Sequence, residues 1–206
     1  MKVLLINGSP HEKGCTYTAL SLIAGELNAA GIETEILNVG TKPVGGCIGC
    51  GGCAKGSGCV FGGVVNEAIE KAKTADAFVF GTPVHYASAS GNMTSFMDRL
   101  SYAGGKYLAY KPAAICCSAR RAGTTTTLDQ LVKYPEFFHM PLVSGSYWPM
   151  VHGSNPEQVL QDQEGCAVMR ELGRNMAWLL RCIEAGKAAG ISHPENPRRP
   201  MTNFIR

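Results

Sequence analysis

Apolar positions recur along this chain with two alternating periods. Lys2–Ile6 is a short run that is apolar almost throughout, as expected of a strand covered on both faces of a sheet. Thr16–Ala30 then repeats at helical spacing, with Leu20, Ile23, Ala24 and Leu27 on one face and Gly31 closing it. Glu33–Val39 alternates as a second strand, and Val64–Lys73 repeats as a helix. Asp76–Phe80 predicts a third strand, with a helix from about Gly91 to Tyr102. Ala113–Cys117 predicts a fourth, with a helix from about Thr125 onward. Pro141–Ser144 is the candidate fifth strand, and one long helix is expected from about Pro156 to Ala188. Regular β-α alternation with buried strands implies a parallel sheet between two helical layers. There is no internal repeat, so residues 1–190 read as one domain and 191–206 as a C-terminal tail.

Composition narrows the picture in three ways. The net charge of +3 is small and scattered, which argues against a nucleic-acid surface. No run approaches the ~18–20 apolar residues of a bilayer span. Val3–Ile6 is too short for the apolar region of a signal peptide, so the chain reads as cytoplasmic. Nine cysteines is a high number for such a chain, because disulfides are rare in a reducing compartment; a cysteine cluster there points to metal ligation or redox chemistry. Cys116, Cys117, Cys166 and Cys182 fall in apolar or helical patterns and read as small buried hydrophobes.

A doubly wound sheet in the five-stranded order 2-1-3-4-5 binds its ligand outside the carboxyl ends of the strands, between the first and the third. The loops at that edge are unusual. After the first strand comes NGSPHEKGCT, residues 7–16, with tight-turning Gly8 and Gly14, the hydroxyls of Ser9 and Thr16, and a helix start with unpaired N–H groups. These suit a phosphate group, though an ordinary strand-to-helix turn capped by Thr16 would have similar residues. The loop matches neither the nucleoside-triphosphate nor the dinucleotide glycine pattern.

After the third strand comes GTPVHYASASGNMTSFMDRL, residues 81–100. Pro83 holds Thr82 extended, His85 and Tyr86 offer flat surface, and Ala87–Ser90 are small enough for a ring to approach the backbone. Ser90 or Asn92 can cap the helix that follows. The fourth strand ends in CCSARRAGTTTT, with Ser118, Arg120, Arg121 and Gly123 at the same edge; either arginine could meet a phosphate or a negatively charged ring, or simply be solvated. Tyr147, Trp148 and His152 read first as core or interface packing and second as ring-lining residues. In the glycine-rich loop 46–60, Cys47, Cys50, Cys53 and Cys59 are spaced C-x2-C-x2-C-x5-C. Three thiols at three-residue steps suit one compact cluster better than tetrahedral zinc, whose ligands usually come from two separated knuckles. Thiols without a metal are the other alternative.

Together these loops resemble the NAD(P)H-dependent FMN reductase superfamily of flavodoxin-like proteins, and within it most the iron–sulfur flavoproteins. Gly8-Ser9-Pro10, Gly14 and Thr16 are similar to the family's FMN phosphate loop, and TPVHYASASGNMTSFMDR to its isoalloxazine loop, closed by Asp98-Arg99. His11 stands where a basic residue is usual and Cys15 where Asn is common; Gly62-Gly63 replaces an acidic pair. The resemblance implies a flavodoxin-like fold. It implies FMN held by Ser9, His11, Gly14, Cys15, Thr16, Pro83, Val84, His85, Tyr86, Ala87, Ser88, Ser118, Arg120, Arg121 and Gly123. It further implies a [4Fe–4S] cluster on Cys47, Cys50, Cys53 and Cys59, and an oxidoreductase that takes electrons from NAD(P)H, a transient co-substrate, or from a reduced carrier. Quinones, flavins or a redox protein would accept them. The alternative is a non-enzymatic carrier like a flavodoxin, although such proteins tend to be smaller and acidic. The tail 191–206, with Met201, Phe204 and Ile205 among prolines, is expected to dock on a neighbouring subunit of a homodimer or homotetramer, or over the flavin mouth.

Overall fold

The computed structural model describes residues 1–56, 58–196 and 200–204. Five parallel strands form its sheet: β1 (Lys2–Asn7), β2 (Glu33–Asn38), β3 (Ala77–His85), β5 (Ala113–Ala119) and β6 (Met150–His152). They lie in the order β2-β1-β3-β5-β6, and a sixth, two-residue strand, β4 (Ser88–Ala89), hooks antiparallel onto the end of β3. With that hook set aside the order is the expected 2-1-3-4-5.

Alternation along each strand divides the core. Leu4 and Ile6, with Phe78 and Phe80, face one side, where they pack under α2 (Val64–Thr74), α3 (Gly91–Gly104) and α4 (Thr124–Phe137). Val3 and Leu5, with Val79, Ala114 and Cys116, face the other side, under α1 (Cys15–Ala29) and α6 (Gln163–Ala188). A side-chain period of 2 in strands buried on both faces produces this division.

The structure corrects the sequence reading in three places. The fifth strand is Met150–His152, paired with Cys117–Ala119, while Leu142 makes only an isolated bridge to Ala113. Glu171 accepts hydrogen bonds from the backbone N–H and hydroxyl of Ser146, and so draws the chain off the sheet between the two contacts. Prolines at 141 and 149 contribute carbonyls, to Ala113 and Cys117, but have no N–H to give. Next, the long helix is broken into α5 (Pro156–Gln161) and α6 by Asp162. Its carboxylate caps α6 through Gly165 N–H at 2.9 Å and accepts from His152 N–H at 2.7 Å. Finally, Cys116, Cys117 and Cys166 are buried as expected, but Cys182 is exposed on the outer face of α6. Burial pushes the Cys117 thiol up to about 12 and the Cys116 thiol higher, so both remain neutral.

Tyr147 and Trp148 are half-exposed and meet edge to face, so neither is core. The first residues of the tail run along the amino edge of the sheet, opposite the ligand loops. There His193 stacks on Tyr110 with ring centres 4.2 Å apart, and Asn196 donates to the Tyr110 hydroxyl. Met201 and Phe204 are exposed; Ile205 lies outside the described residues.

Candidate active site

The carboxyl edge of β1, β3 and β5 brings three loops together. Asn7, buried at the end of β1, organises the first. Its carboxamide accepts from Ser9 N–H at 3.1 Å and donates to Asn38 and to the Glu12 carbonyl. The Ser9 hydroxyl in turn accepts from His11 N–H, so the chain wraps tightly before α1. Gly14, the N-cap of α1, provides no side-chain cap, and the first turn contains no acidic residue. Helix-start N–H groups without side-chain partners, at the positive end of the helix dipole, form an anion site. Cys15 is half-buried, its Sγ 3.5 Å from the Gly153 carbonyl. Burial raises its pKa, so it adds no negative charge beside that site. His11 is exposed at the rim.

Thr16 in the first turn of α1 and Ser118 near the end of β5 are 102 residues apart in sequence, yet their buried hydroxyls lie 2.8 Å from each other. That bond ties the start of α1 to the end of β5. Ser90 joins β3 to β1 in the same way: its hydroxyl caps α3 by accepting from Met93 N–H and donates to the Gly8 carbonyl.

Residues 84–89 form a hairpin, with Val84 opposite Ala89 and His85 opposite Ser88. Tyr86 and Ala87 make its two-residue turn at φ 51° and 58°. Both are in the left-handed region that such a turn requires and that normally selects Asn-Gly. Strain of this kind costs about 1–3 kcal/mol per residue and needs support from neighbours. Gln130 on α4 provides some: its Oε1 accepts from the Ser88 hydroxyl at 2.7 Å and from Ala89 N–H at 2.9 Å. Gly123, at φ 90°, lets the turn pack close, because a Cβ there would lie 2.6 Å from the Ala87 Cα. Pro83 and Val84 are half-buried, and His85, Tyr86 and Ala87 are exposed as an open wall. Arg120 and Arg121 are exposed at the same edge, with no hydrogen-bond or ion-pair partner among the described residues.

The four loop cysteines occupy a separate place. Cys47, Cys50, Cys53 and Cys59 all line one cavity of about 230 Å³, together with Phe61 and with Arg99 and Tyr102 of α3. Cys47 and Cys50 are exposed, while Cys53 and Cys59 are half-buried. The chain turns around the cavity through Gly49, Gly51, Gly56 and Gly58, each at positive φ. Two residues fix Cys59. Asn66 of α2 accepts from its N–H at 2.8 Å and donates to its carbonyl at 3.0 Å. Arg99, buried, donates from Nε to its Sγ at 3.2 Å.

Among the described residues no three His, Cys, Asp or Glu side chains are gathered tightly enough to hold a metal ion between them. The donor set nevertheless fits a cluster in its chemistry: four cysteines line one cavity, and the buried guanidinium of Arg99 beside Cys59 would balance negative sulfur. To converge, the exposed side of the glycine-rich loop must turn inward.

Gln130, Asn66 and Arg99 were not apparent as functional residues in the sequence. Each is an ordinary polar residue on a helix: Gln130 reaches partners 41 and 42 positions away and Arg99 one 40 positions away, whereas Asn66 lies 7 residues from Cys59 but in the next element.

The sequence profile of the NADPH-dependent FMN reductase family matches residues 1–155. An iron–sulfur flavoprotein of Methanocaldococcus jannaschii is 30% identical over 193 residues, which cover 89% of this chain and 100% of that protein. An iron–sulfur flavoprotein of Archaeoglobus fulgidus is 30% identical over 197 residues, covering 91% and 96%. Among solved structures, RosB with bound 8-demethyl-8-formylriboflavin-5′-phosphate superposes with a TM-score of 0.70 at 15% identity, covering 100% of this chain and 93% of that one. The NADH:FMN oxidoreductase EmoB gives 0.61 at 18% identity, covering 88% and 89%. At these identities the structures attest the fold, whereas the profile and the two relatives attest descent: the chain belongs to the NADPH-dependent FMN reductase family.

Proposed function

We propose that this FMN-dependent oxidoreductase draws electrons from NAD(P)H or from a reduced carrier and delivers them to a quinone, a flavin or a similar small acceptor, with a [4Fe–4S] cluster on Cys47, Cys50, Cys53 and Cys59 as its second redox group. When bound, FMN supplies the hydride and single-electron chemistry, and the protein contributes orientation and electrostatics. The loop from Ser9 to Thr16 and the first turn of α1 would hold the phosphate, since that turn presents N–H groups and no carboxylate. The wall from Pro83 to Ser88 would carry the ring, held at its height by Gln130 and Gly123. Arg120 and Arg121 would offset negative charge at the ring's polar edge. Ser118 acts through Thr16, keeping the phosphate loop in register with β5.

The cluster reading is carried by one observation: all four cysteines share a single cavity with a buried arginine that has no carboxylate partner among the described residues. Four thiolates suit a cubane cluster, which supplies single-electron transfer. A homodimer or homotetramer, with Met201 and Phe204 of the tail docked on a neighbour, belongs to the same reading.

One anaerobic preparation tests all of this. Its absorption spectrum, its FMN, iron and acid-labile sulfide contents, its sedimentation and its NAD(P)H oxidation with menadione are measured together. We expect about one FMN and four irons per chain, and turnover above that of free FMN. Less than about one iron per chain removes the cluster and leaves the flavin enzyme standing. Absence of turnover above free FMN overturns the enzyme reading in favour of an electron carrier.

A further inference from the structure

We infer that Arg99 is the clasp and counter-charge of the cysteine array: one guanidinium that pins both ends of the loop and donates directly to the sulfur of Cys59. This rests on the cluster reading above and extends it to a residue outside the cysteines.

Arg99 lies on α3 and is 6% exposed. Its three nitrogens reach three separate points of the loop. Nη1 donates to the Gly45 carbonyl, before the first cysteine, at 3.3 Å. Nη2 donates to the Gly62 carbonyl, after the last, at 3.0 Å. Nε donates to Cys59 Sγ at 3.2 Å. The Phe61 ring lies over the guanidinium, 5.5 Å from centroid to Cζ. The loop between the two pinned carbonyls therefore closes on the side of α3 through a single side chain.

The charge balance gives this geometry its meaning. A buried guanidinium is always ionised and is costly without an anion beside it. The adjacent carboxylate, Asp98, makes no ion pair with Arg99 and instead accepts from the Tyr134 hydroxyl of α4 at 2.6 Å. No other carboxylate pairs with Arg99 among the described residues. Two carbonyls and one sulfur remain. A neutral thiol is a weak acceptor, whereas the thiolate of a cluster ligand is an anion. Arg99 is thus satisfied when the array carries negative charge, and it stabilises the reduced cluster, which is one electron more negative, over the oxidised one. Hydrogen bonds to ligand sulfurs and nearby charge are two of the means by which proteins set cluster potentials. Lysine could supply the charge but not the fork that spans three acceptors.

The test uses the full-length protein, anaerobically reconstituted with ferrous iron and sulfide, as wild type, Arg99→Gln, Arg99→Lys and Cys59→Ser. Loss of iron to a chelator and the midpoint potential of the cluster by EPR-monitored titration are measured, with FMN affinity as the control for folding. Arg99→Gln should lose iron about tenfold faster or more and shift the midpoint to more negative values. Arg99→Lys should lose iron faster as well, with a midpoint between the other two. In a Cys59→Ser background the Arg99→Gln change should have a smaller effect on the midpoint, because the guanidinium acts through that sulfur. If both Arg99 variants bind FMN and keep the wild-type chelator half-life and midpoint, the inference is wrong. If neither variant folds, the wild type decides: isotope-labelled arginine must give a nitrogen coupling at the reduced cluster in pulsed EPR, and its absence overturns the inference. Wild-type protein that takes up no iron overturns the cluster reading and this inference with it, so the two failures are told apart.

Discussion

The proposed flavin cradle and the cysteine loop leave the same edge of the same sheet, yet they are built in opposite ways. The cradle is made by regular elements. β1 and β5 end beside β3, which runs on into the hairpin, and the elements are tied to one another by buried bonds such as Thr16–Ser118 and Ser90–Gly8. Its shape follows from the topology and is present before any ligand arrives. Among the described residues between 46 and 60 the cysteine loop has one 3-10 turn, Gly52–Lys55, and two helix residues, Asn66 and Arg99, grip one of its four cysteines. The cradle is thus preorganised by packing, whereas the loop is anchored at Cys59 and leaves Cys47 and Cys50 exposed. One consequence can be measured: damage to either region should stay within it.

Gly123→Ala should give the largest separation. The new Cβ would lie 2.6 Å from backbone at Ala87, and the residue would keep a φ of 90°, so the strained hairpin has to move. We expect a cost of about 1–3 kcal/mol in the local structure and FMN binding weaker by about tenfold or more, the equivalent of at least ~1.4 kcal/mol. Iron content should be unchanged. Fluorescence titration of FMN, with iron assayed on the same samples, checks both halves. If iron falls with flavin affinity, the independence of the two regions is refuted.

Asn66→Ala is the converse change. It leaves the N–H and carbonyl of Cys59 without their side-chain partner, a loss of about 1–3 kcal/mol where such groups are buried and less here, at a half-exposed site. Iron should be lost to a chelator several-fold faster than from wild type, while FMN affinity stays within twofold of it. Unchanged iron retention would mean that Asn66 only holds the backbone and that the array does not depend on its anchor.

What the sequence showed of each region follows the same division. The positions of the loops after β1, β2 and β3 could be read because their signals are local: glycines, hydroxyls and thiols close together in the chain, after recognisable strands. The supports could not. Gln130 bonds to residues 41 and 42 positions away, and Arg99 to one 40 positions away, and nothing in their own helices distinguishes them from solvated polar residues. The Tyr86-Ala87 turn ran against local propensity, which favours Asn-Gly, so the loop appeared irregular where the chain forms a hairpin. The split fifth strand was hidden because the side chain that draws the chain away, Glu171, belongs to a later helix. Asp162 was the readable exception, an N-cap residue just before a helical run, and the apolar spacing on either side concealed it.

A third region supplies the baseline against which both effects are judged. At the amino edge of the sheet Glu35 on β2 joins Lys2 at 2.9 Å and Lys71 of α2 at 2.5 Å, with Glu33 and Glu67 at the outer ends of the network. Hydrogen bonds, first from Lys71 and then from Lys2, hold the Glu35 carboxyl below the usual carboxylate range. A depressed folded pKa contributes stability above the unfolded value of about 4.3 and loses it as pH falls through the folded value. Glu35→Gln should therefore destabilise the protein at neutral pH, and the difference from wild type should shrink below about pH 4. Because the network is largely solvated, the cost should be below ~1 kcal/mol and smaller still in high salt. Thermal unfolding at pH 7 and pH 3.5 reads the difference directly. FMN affinity and iron retention should not change at all, since Glu35 touches neither the cradle nor the loop. If either did change, the effects of Gly123→Ala and Asn66→Ala could be global loosening, and the contrast between a preorganised cradle and an anchored loop would lose its support.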